Sequence, residues 1–478
     1  MKDTELTSSV PEREGVSSRA LAAFAEALRD DGPEIDAFVL LRHGRKIAEG
    51  GWRPYTTTLP RLSNSVSKSF TSTAIGMAVD EGLLTVEDRV IDFFPTETPA
   101  EPGEHLRAMR VKHLLTMSTG HRADTIALFI TARSQMLDWV SAFLQAPVED
   151  APGSGFLYNS GATYMLSAIL QRVTGTTLFD YLKPRLFEPL GIREVSWEAC
   201  PRGITTGGWG LSVSAESYAK FGQLYLDRGV WNGRRLLSEE WVAEASRAQI
   251  ANAAQPDDTN DWTQGYGYQF WRCRHGAYRA DGAFGQFIVV LPEQDAVLAI
   301  HAATYDMQPV LDIVWTHLLP ALGGREALPP DPAGEERLCE TLAALHVAAP
   351  SASDASELAT AIDGGRYRFT ENELGLREAS LRFGSDEARL VMEGERGEAV
   401  HRFGIGAWIV NEDCPLRAAS ATWTAADLLQ LTIRQLETAY VDTFEIRFDG
   451  TQTVRITHRR DYDVFAPSWG TLVGQAIE

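Results

Sequence analysis

The sequence has little positive charge, no paired cysteines and no long apolar run. Its 478 residues carry 44 lysines and arginines against 65 aspartates and glutamates, a formal net charge of −21. A surface of that sign repels phosphate backbones and anionic headgroups, so nucleic acid and membrane surfaces are disfavoured as partners. The four cysteines, Cys200, Cys273, Cys339 and Cys414, are scattered and form no CxxC pair. They read as free thiols in a reducing compartment, not as a disulfide frame or a zinc site. No stretch reaches the roughly 18 apolar residues that a membrane helix needs. The opening residues, MKDTELTSSVPEREG, lack the apolar core of a signal peptide. A cytoplasmic location is therefore expected. HExxH and clustered His/Cys ligands are missing too, as is the GxSxG elbow of an α/β-hydrolase. Neither metal nor cofactor is expected.

What is present organises into more than one domain, as the length requires. DAFVLLRHGRKIAEGGW (Asp36–Trp52) alternates around His43-Gly44 and reads as a β-hairpin. GQFIVVLPEQDAVLAIHAA (Gly285–Ala303) repeats that form around Pro292–Asp295. Between them, SFTSTAIGMAVDEGLL, VKHLLTMSTG, GATYMLSAILQRVTG and AESYAKFGQLYLDRG show helical spacing, and most close on glycine. MQPVLDIVWTHLLPALGG adds a helix after the second hairpin. Strands at both ends with helices between predict one sheet assembled from the two ends of the segment, covered by helices and carrying a helical lobe. Residues 1–324 form this expected α+β domain. Residues 325–364 read as a proline-rich linker with one short helix near Glu335–His346. From 365 to 478, short alternating runs such as DTFEIRFDG and TQTVRITHRR predict an antiparallel all-β sandwich or barrel.

Chemistry concentrates in LSNSVSKSFTSTAIGMAVDEGLL, Leu62 to Leu84. A serine hydroxyl needs a base beside it to act as a nucleophile. Residues three apart on a helix share a face, so Ser65 and Lys68 come within reach of each other. Lysine serves as a base only when desolvation or nearby cations favour its neutral form. Val66, Phe70, Ala74 and Ile75 make a buried Lys68 plausible. At a helix N-terminus, the Ser65 amide also points toward a developing oxyanion. The SxxK spacing alone is weak, because Ser217-Tyr218-Ala219-Lys220 repeats it. That copy lies in an amphipathic helix, where Lys220 is expected to face solvent and Ser217 to be an ordinary helix residue. The bland alternative for Ser65 is an N-cap serine beside a partly exposed lysine.

Two further pieces shift that balance. In GFLYNSGATYMLSAILQRVTG (Gly155–Gly175), Tyr158 and Ser160 precede an apolar helix. A tyrosine beside a lysine can relay a proton, as base when ionised and as acid when neutral. Ser160 can reach Lys68 or a substrate carbonyl, or else serve as the helix N-cap. In YRADGAFGQFIVVLPEQD (Tyr278–Asp295), Gly282 and Gly285 stand at the mouth of a buried strand, where glycine lets a ligand approach the backbone. The Ala283 amide there is a candidate second oxyanion donor; a tight turn into the strand is the alternative. Trp262, Tyr266, Tyr268 and Trp271 form an aromatic cluster ahead of this piece, read as packing or as an acyl pocket.

These three pieces, in this order, resemble the serine β-lactamase and penicillin-recognising superfamily, which includes class C β-lactamases, DD-peptidases, family VIII carboxylesterases, D-aminopeptidases and 6-aminohexanoate-dimer hydrolase. VKHLLTMSTGH, FEPLGI, the block GGWGLSVSAESYAKFGQLYLDRGVWNGRRLLSEEWV and GQFIVVLPEQDAVLAI are similar as well, so the resemblance spans roughly residues 10–322. It implies an α/β sandwich of β-lactamase/transpeptidase type. It implies Ser65 as acylated nucleophile, Lys68 as base partner, Tyr158 as proton-transfer group, and the Ser65 and Ala283 amides as oxyanion hole. Ser160, Trp209, Gly282 and Gly285 are implied near the substrate. The C-terminal strands resemble the lipocalin-like barrels appended to some D-aminopeptidase chains. Two departures stand out. Ser160 takes the place where relatives often have asparagine, a form closer to the dimer-hydrolase and esterase branch. Ala280-Asp281-Gly282 stands where β-lactamases have Lys-Thr-Gly, with only Arg279 nearby as a substitute cation.

The leading expectation is a serine hydrolase of small esters or amides, acting through an acyl-enzyme. β-Lactamase or D-amino-acid peptidase activity, an acyltransferase of the same fold and a non-catalytic binding scaffold are the alternatives. The expected partner is a small-molecule ester or amide; the sequence leaves oligomeric state open.

Overall fold

A computed structural model describes residues 4–131, 138–350, 357–372, 375–395, 397–411, 415–463 and 470–477. The chain divides into two compact units, Met1–Gly51 with Thr56–Leu345, and Trp52–Tyr55 with His346–Glu478.

The first unit is built on a six-stranded antiparallel sheet. Its strands are β1 (Ile35–Arg42), β2 (Arg45–Gly51), β3 (Trp271–Arg272), β4 (Tyr278–Gly282), β5 (Gln286–Leu291) and β6 (Ala296–Ala302), in the spatial order β2-β1-β6-β5-β4-β3. β1 and β6, from opposite ends of the unit, pair at its centre with Leu40 opposite Leu298. The β1–β2 hairpin turns on His43 (φ 49°) and Gly44 (φ 70°). Two left-handed residues in sequence match the twist of a tight hairpin. Every residue of β1 and β6 is buried, so the sheet is covered on both faces.

Strand alternation explains the two cover layers. Ala37, Val39 and Leu41 join the main core with Val297, Ala299 and Ile288, the face on which helix α4 (Ala215–Leu226) packs. The opposite parity carries Phe38, whose ring meets Phe24 of helix α1 (Ser18–Asp30) edge-on at 5.8 Å between centroids. Between α1 and α4 in the chain lies the helical lobe, centred on α2 (Ser67–Asp80) and α3 (Ser160–Thr174). α2 is buried from Ser67 through Ala78 and has no polar face, which is why its sequence reads as small and mixed instead of amphipathic. The short helix expected in the 325–364 segment is α5 (Pro332–Ala343). It falls within the first unit, tied to α1 by the Arg19–Asp331 and Arg337–Glu26 ion pairs.

The second unit carries β7 (Arg366–Phe369), β8 (Leu376–Phe383), β9 (Glu387–Gly394), β10 (Gly397–Ile405), β11 (Ile409–Asn411), β12 (Arg417–Ala425), β13 (Leu428–Gln435), β14 (Val441–Asp449), β15 (Thr453–Asp461) and β16 (Thr471–Ile477). Nine of these run β10-β9-β8-β7-β16-β15-β14-β13-β12 and close where β10 meets β12 in parallel, Gly404 opposite Ser420. β11 pairs on the free part of β12. The all-β expectation thus resolves to a barrel and not a sandwich. Its interior takes alternate residues, including Leu431 and Ile433 of β13 and Phe444, Ile446 and Phe448 of β14.

Cys200 and Cys273 are buried free thiols and Cys339 an exposed one; Cys414 lies outside the described residues. Among the described residues no helix is long and apolar enough to cross a membrane.

One test follows from the α4–sheet contact. A Cβ on Gly222 would come within 2.5 Å of Val297 Cγ1 and 2.8 Å of Ile288 Cγ2, both on stiff branched side chains. Gly222→Ala gains up to about 1 kcal/mol of helix propensity, yet overpacking costs ~1–3 kcal/mol. Net destabilisation in urea unfolding, followed on the first unit, is the expected result; a stabilised variant would refute the packing described.

Candidate active site

Ser65 sits in a single 3-10 turn, Asn64–Val66, that runs directly into α2. Two features fix that turn. Asn64 adopts a left-handed conformation (φ 47°) and donates from Nδ2 to the Ala283 carbonyl at 3.0 Å. The Ser63 amide donates to the Leu211 carbonyl at 2.7 Å. One turn on, Lys68 reaches back as the three-residue spacing requires, and its Nζ lies 3.0 Å from Ser65 Oγ.

Lys68 is 2% exposed. Its amine also lies 3.3 Å from Ser160 Oγ and 2.7 Å from the Gly208 carbonyl. No carboxylate pairs with it among the described residues. Burial therefore dominates and pushes the amine down to about 7, with Asp124 and Asp281 pulling the other way. A neutral amine offers two donors and one lone pair. With Gly208 O and Ser160 Oγ accepting, the lone pair is left for the Ser65 hydroxyl.

Tyr158 completes the group. Its hydroxyl hydrogen-bonds Ser65, and its ring lies 4.9 Å from Lys68 Nζ. Burial pushes this phenol well above its usual range, so it stays neutral. The sequence left open a base or an acid role for Tyr158; the surroundings favour the neutral acid. The ring stacks on Trp271 at 5.6 Å and meets Tyr266 edge-on at 6.4 Å. Of the expected aromatic cluster, these two buttress Tyr158. Trp262 lies over Arg279 at 4.4 Å, and Tyr268 packs on Trp241.

Ser160 is the first residue of α3, and Asn159 is the N-cap, its side chain accepting from the Gly161 amide. The alternative reading of Ser160 as the cap is corrected: its hydroxyl turns to Lys68 instead. Trp209 is half-buried, follows the carbonyl that holds Lys68, and lies 6.0 Å from Trp139 ring to ring.

The third sequence piece behaves differently from its reading. A Cβ on Gly282 would meet the Ser63 carbonyl at 2.4 Å and the Val66 amide at 3.2 Å. The close approach this glycine permits here is by the Ser65 turn. Gly285 is a left-handed turn residue (φ 84°) whose missing Cβ would strike Ala302. Ala283 lies between them, half-buried. Arg279 is fully buried and spends itself on Asp281 Oδ2 (2.8 Å), the Asp261 carbonyl (3.0 Å) and Cys273 Sγ (3.1 Å). It is no substitute cation for a substrate.

The second SxxK copy is corrected as well. Lys220 is 4% exposed instead of solvent-facing, and it pairs with Glu216 at 3.0 Å. Ser217 bonds Ser214, the cap of α4. Sequence reasoning missed Asp124 and Gly208. The Gly207-Gly208 pair was the available signal for Gly208; a Cβ there would sit 3.0 Å from the Ser160 carbonyl. No group of three or more His, Cys, Asp or Glu side chains poised to hold a metal occurs among the described residues.

The family model described as Beta-lactamase matches residues 21–321. The chain is 26% identical over 283 residues to the 6-aminohexanoate-dimer hydrolase of Paenarthrobacter ureafaciens, covering 55% of this chain and 71% of that protein. It is 26% identical over 320 residues to penicillin-binding protein 4 of Amycolatopsis lactamdurans, covering 60% and 80%. Among solved structures, EstCE1, a hydrolase with promiscuous acyltransferase activity, superposes with a TM-score of 0.51 at 19% identity, covering 62% of this chain and 99% of that one.

Gly282→Ala tests the strand–turn contact. The added methyl displaces the Ser65 turn, so labelling of Ser65 by a fluorophosphonate is expected to slow at least about tenfold, with a stability loss of ~1–3 kcal/mol. Wild-type labelling in the variant would show that the turn does not depend on this contact.

Proposed function

The chain belongs to the beta-lactamase family, and from that premise we propose that it is a serine hydrolase of small esters or amides working through Ser65, Lys68 and Tyr158. The observation that carries this reading is the unpaired, buried Lys68 amine 3.0 Å from Ser65 Oγ and held near 7. At neutral pH a large share of that amine is a free base.

In the first half-reaction, Ser65 Oγ attacks the substrate carbonyl carbon while Lys68 Nζ takes the hydroxyl proton. The tetrahedral oxyanion forms against the Ser65 and Ala283 amides, each such donor being worth about 3 kcal/mol. As the intermediate collapses, the bond to the leaving alcohol or amine breaks. The leaving group takes its proton from Lys68, relayed by the neutral Tyr158 hydroxyl. In the second half-reaction, water loses its proton to Lys68, attacks the acyl carbon and returns the Ser65 hydroxyl. Ser160 steadies Lys68, and Trp209 flanks the cleft.

Substrate class follows from charge. Arg279 is locked to Asp281, leaving no cation on β4 to hold a substrate carboxylate. This weighs for neutral esters or amides over β-lactams and D-amino-acid peptides. Acyl transfer to an alcohol or amine is the second reading, favoured by the fold shared with EstCE1. It differs only in what attacks the acyl-enzyme, and added acceptor separates the two. A binding scaffold without chemistry has no need of an unpaired buried amine. The free thiols fit a reducing compartment, and we place the protein in the cytoplasm with a small molecule as its partner.

The test is hydrolysis of p-nitrophenyl butyrate. Ser65→Ala is expected to lose at least about 10³-fold in kcat/KM. Protonated Lys68 cannot accept the serine proton, so wild-type kcat/KM should rise with pH and level off above an inflection at about 7. Equal turnover by Ser65→Ala would remove Ser65 from the mechanism. Nitrocefin turnover more efficient than the ester's would overturn the substrate class.

A further inference from the structure

We propose that Asp124 is a positioning residue for this reaction, fixing Ser160 against Lys68 and supplying the negative field in which the amine sits. The inference rests on the acyl-transfer reading above.

The geometry is specific. Asp124 Oδ1 accepts from the Ser160 amide at 2.8 Å and from the Ile126 amide at 2.9 Å. The Ser160 amide is the first of α3, a donor with no partner inside its own helix. A carboxylate oxygen satisfies that donor at the positive end of the helix. The neighbouring pair interlocks: Asn159 Oδ1 accepts from the Thr125 amide (3.1 Å), the Thr125 hydroxyl (2.8 Å) and the Gly161 amide (3.1 Å). A Cβ on Gly161 would fall 1.9 Å from Thr125 Oγ1, so the residue must be glycine for the two segments to close. Asp124-Thr125 and Asn159–Gly161 thus form one clasp, and Ser160 Oγ leaves it pointing at Lys68 Nζ, 3.3 Å away. Asp124 touches Ser160 and acts through it.

Charge adds a second consequence. The groups facing Lys68 are Asp124 from this loop, Asp281 from β4 and Tyr158 from the segment before α3. Arg279 offsets Asp281, and Tyr158 is neutral. Asp124 is therefore the main negative charge opposing the burial of Lys68, and of the two carboxylates it has the larger effect on the amine. Removing its charge further favours neutral Lys68, so the acid limb of reactivity must move to lower pH.

The experiment is single-turnover labelling of Ser65 by an alkyl fluorophosphonate as a function of pH, on the full chain. Asp124→Asn and Asp124→Ser keep an oxygen for the Ser160 amide and lose the charge. Each is expected to move the inflection down by roughly half to one pH unit, while Asp124→Glu stays near wild type. Asp124→Ala should in addition lower the plateau rate about tenfold as Ser160 loosens. A residue that only caps a helix would change plateau and stability and leave the inflection alone; that outcome, in a labelled wild type and folded variants, overturns this proposal by itself. Failure of both the Asn and Ser variants to fold makes Asp124 a structural residue and overturns it too. A wild type that takes no label sinks the Ser65 reading and this proposal with it.

Discussion

The site depends on one buried amine that is denied a counter-ion. A tenfold change in a protonation equilibrium corresponds to about 1.4 kcal/mol. Holding an amine near 7 in place of its ordinary 10.5 therefore means several kcal/mol of bias against the charged form. Desolvation supplies that bias only if water and carboxylates are both kept at a distance. α2 meets the first condition by being buried through Ala78, with small residues that let α3 and the 207–208 glycines close in. The second is met by geometry: the partners of Lys68 are two hydroxyls and a carbonyl, which accept hydrogen bonds without stabilising a charge as an anion would.

The two SxxK copies make the same point by contrast. In both, serine and lysine lie three apart, Ser217 and Lys220 on α4, Ser65 in the turn that opens α2 and Lys68 on α2 itself. Glu216, four residues before Lys220, neutralises that cation and leaves a structural ion pair. Lys68 has no such residue one turn away. The Glu216–Lys220 spacing is visible in the sequence, yet it reads most easily as a surface pair. Burial of the α4 face against the sheet decides otherwise, and that is a tertiary fact.

This divides what local sequence shows from what it hides. Hairpins around His43-Gly44 and Pro292–Asp295, the helix carrying Ser65 and Lys68, and the alternating strands past residue 365 are set by periodicity and turn chemistry, and all are legible. The reach of Lys68 to Ser65 is legible for the same reason. Asp124 is not, since it arrives on an irregular loop with no period to betray it, and Gly208 left only the Gly207-Gly208 pair as a signal. Gly282 was visible as a glycine needing space, but the object that fills the space is the Ser65 turn, which only the packed structure identifies. Arg279 was visible as a cation near the third piece. Its capture by Asp281 and its stacking under Trp262 depend on strand parity and on a loop beginning some twenty residues earlier.

The same burial that lowers Lys68 raises Tyr158, and the two shifts together support the roles proposed for them. Around a single serine hydroxyl stand a group that gives up its proton more readily than usual and one that holds its proton more firmly. Pairs pushed apart in this way separate base from acid without any change in residue type. A phenolate base would need a cation beside it to survive burial, and at neutral pH Lys68, the amine over its ring, is partly neutral. In the proposed mechanism the proton of Ser65 therefore has one favourable destination, the lysine. On that reading the phenol, beside the same oxygen, is left to carry a proton outward to whatever leaves. Substituting the Tyr158 hydroxyl should thus hurt substrates with poor leaving groups more than activated esters, because only the former need that proton at the transition state.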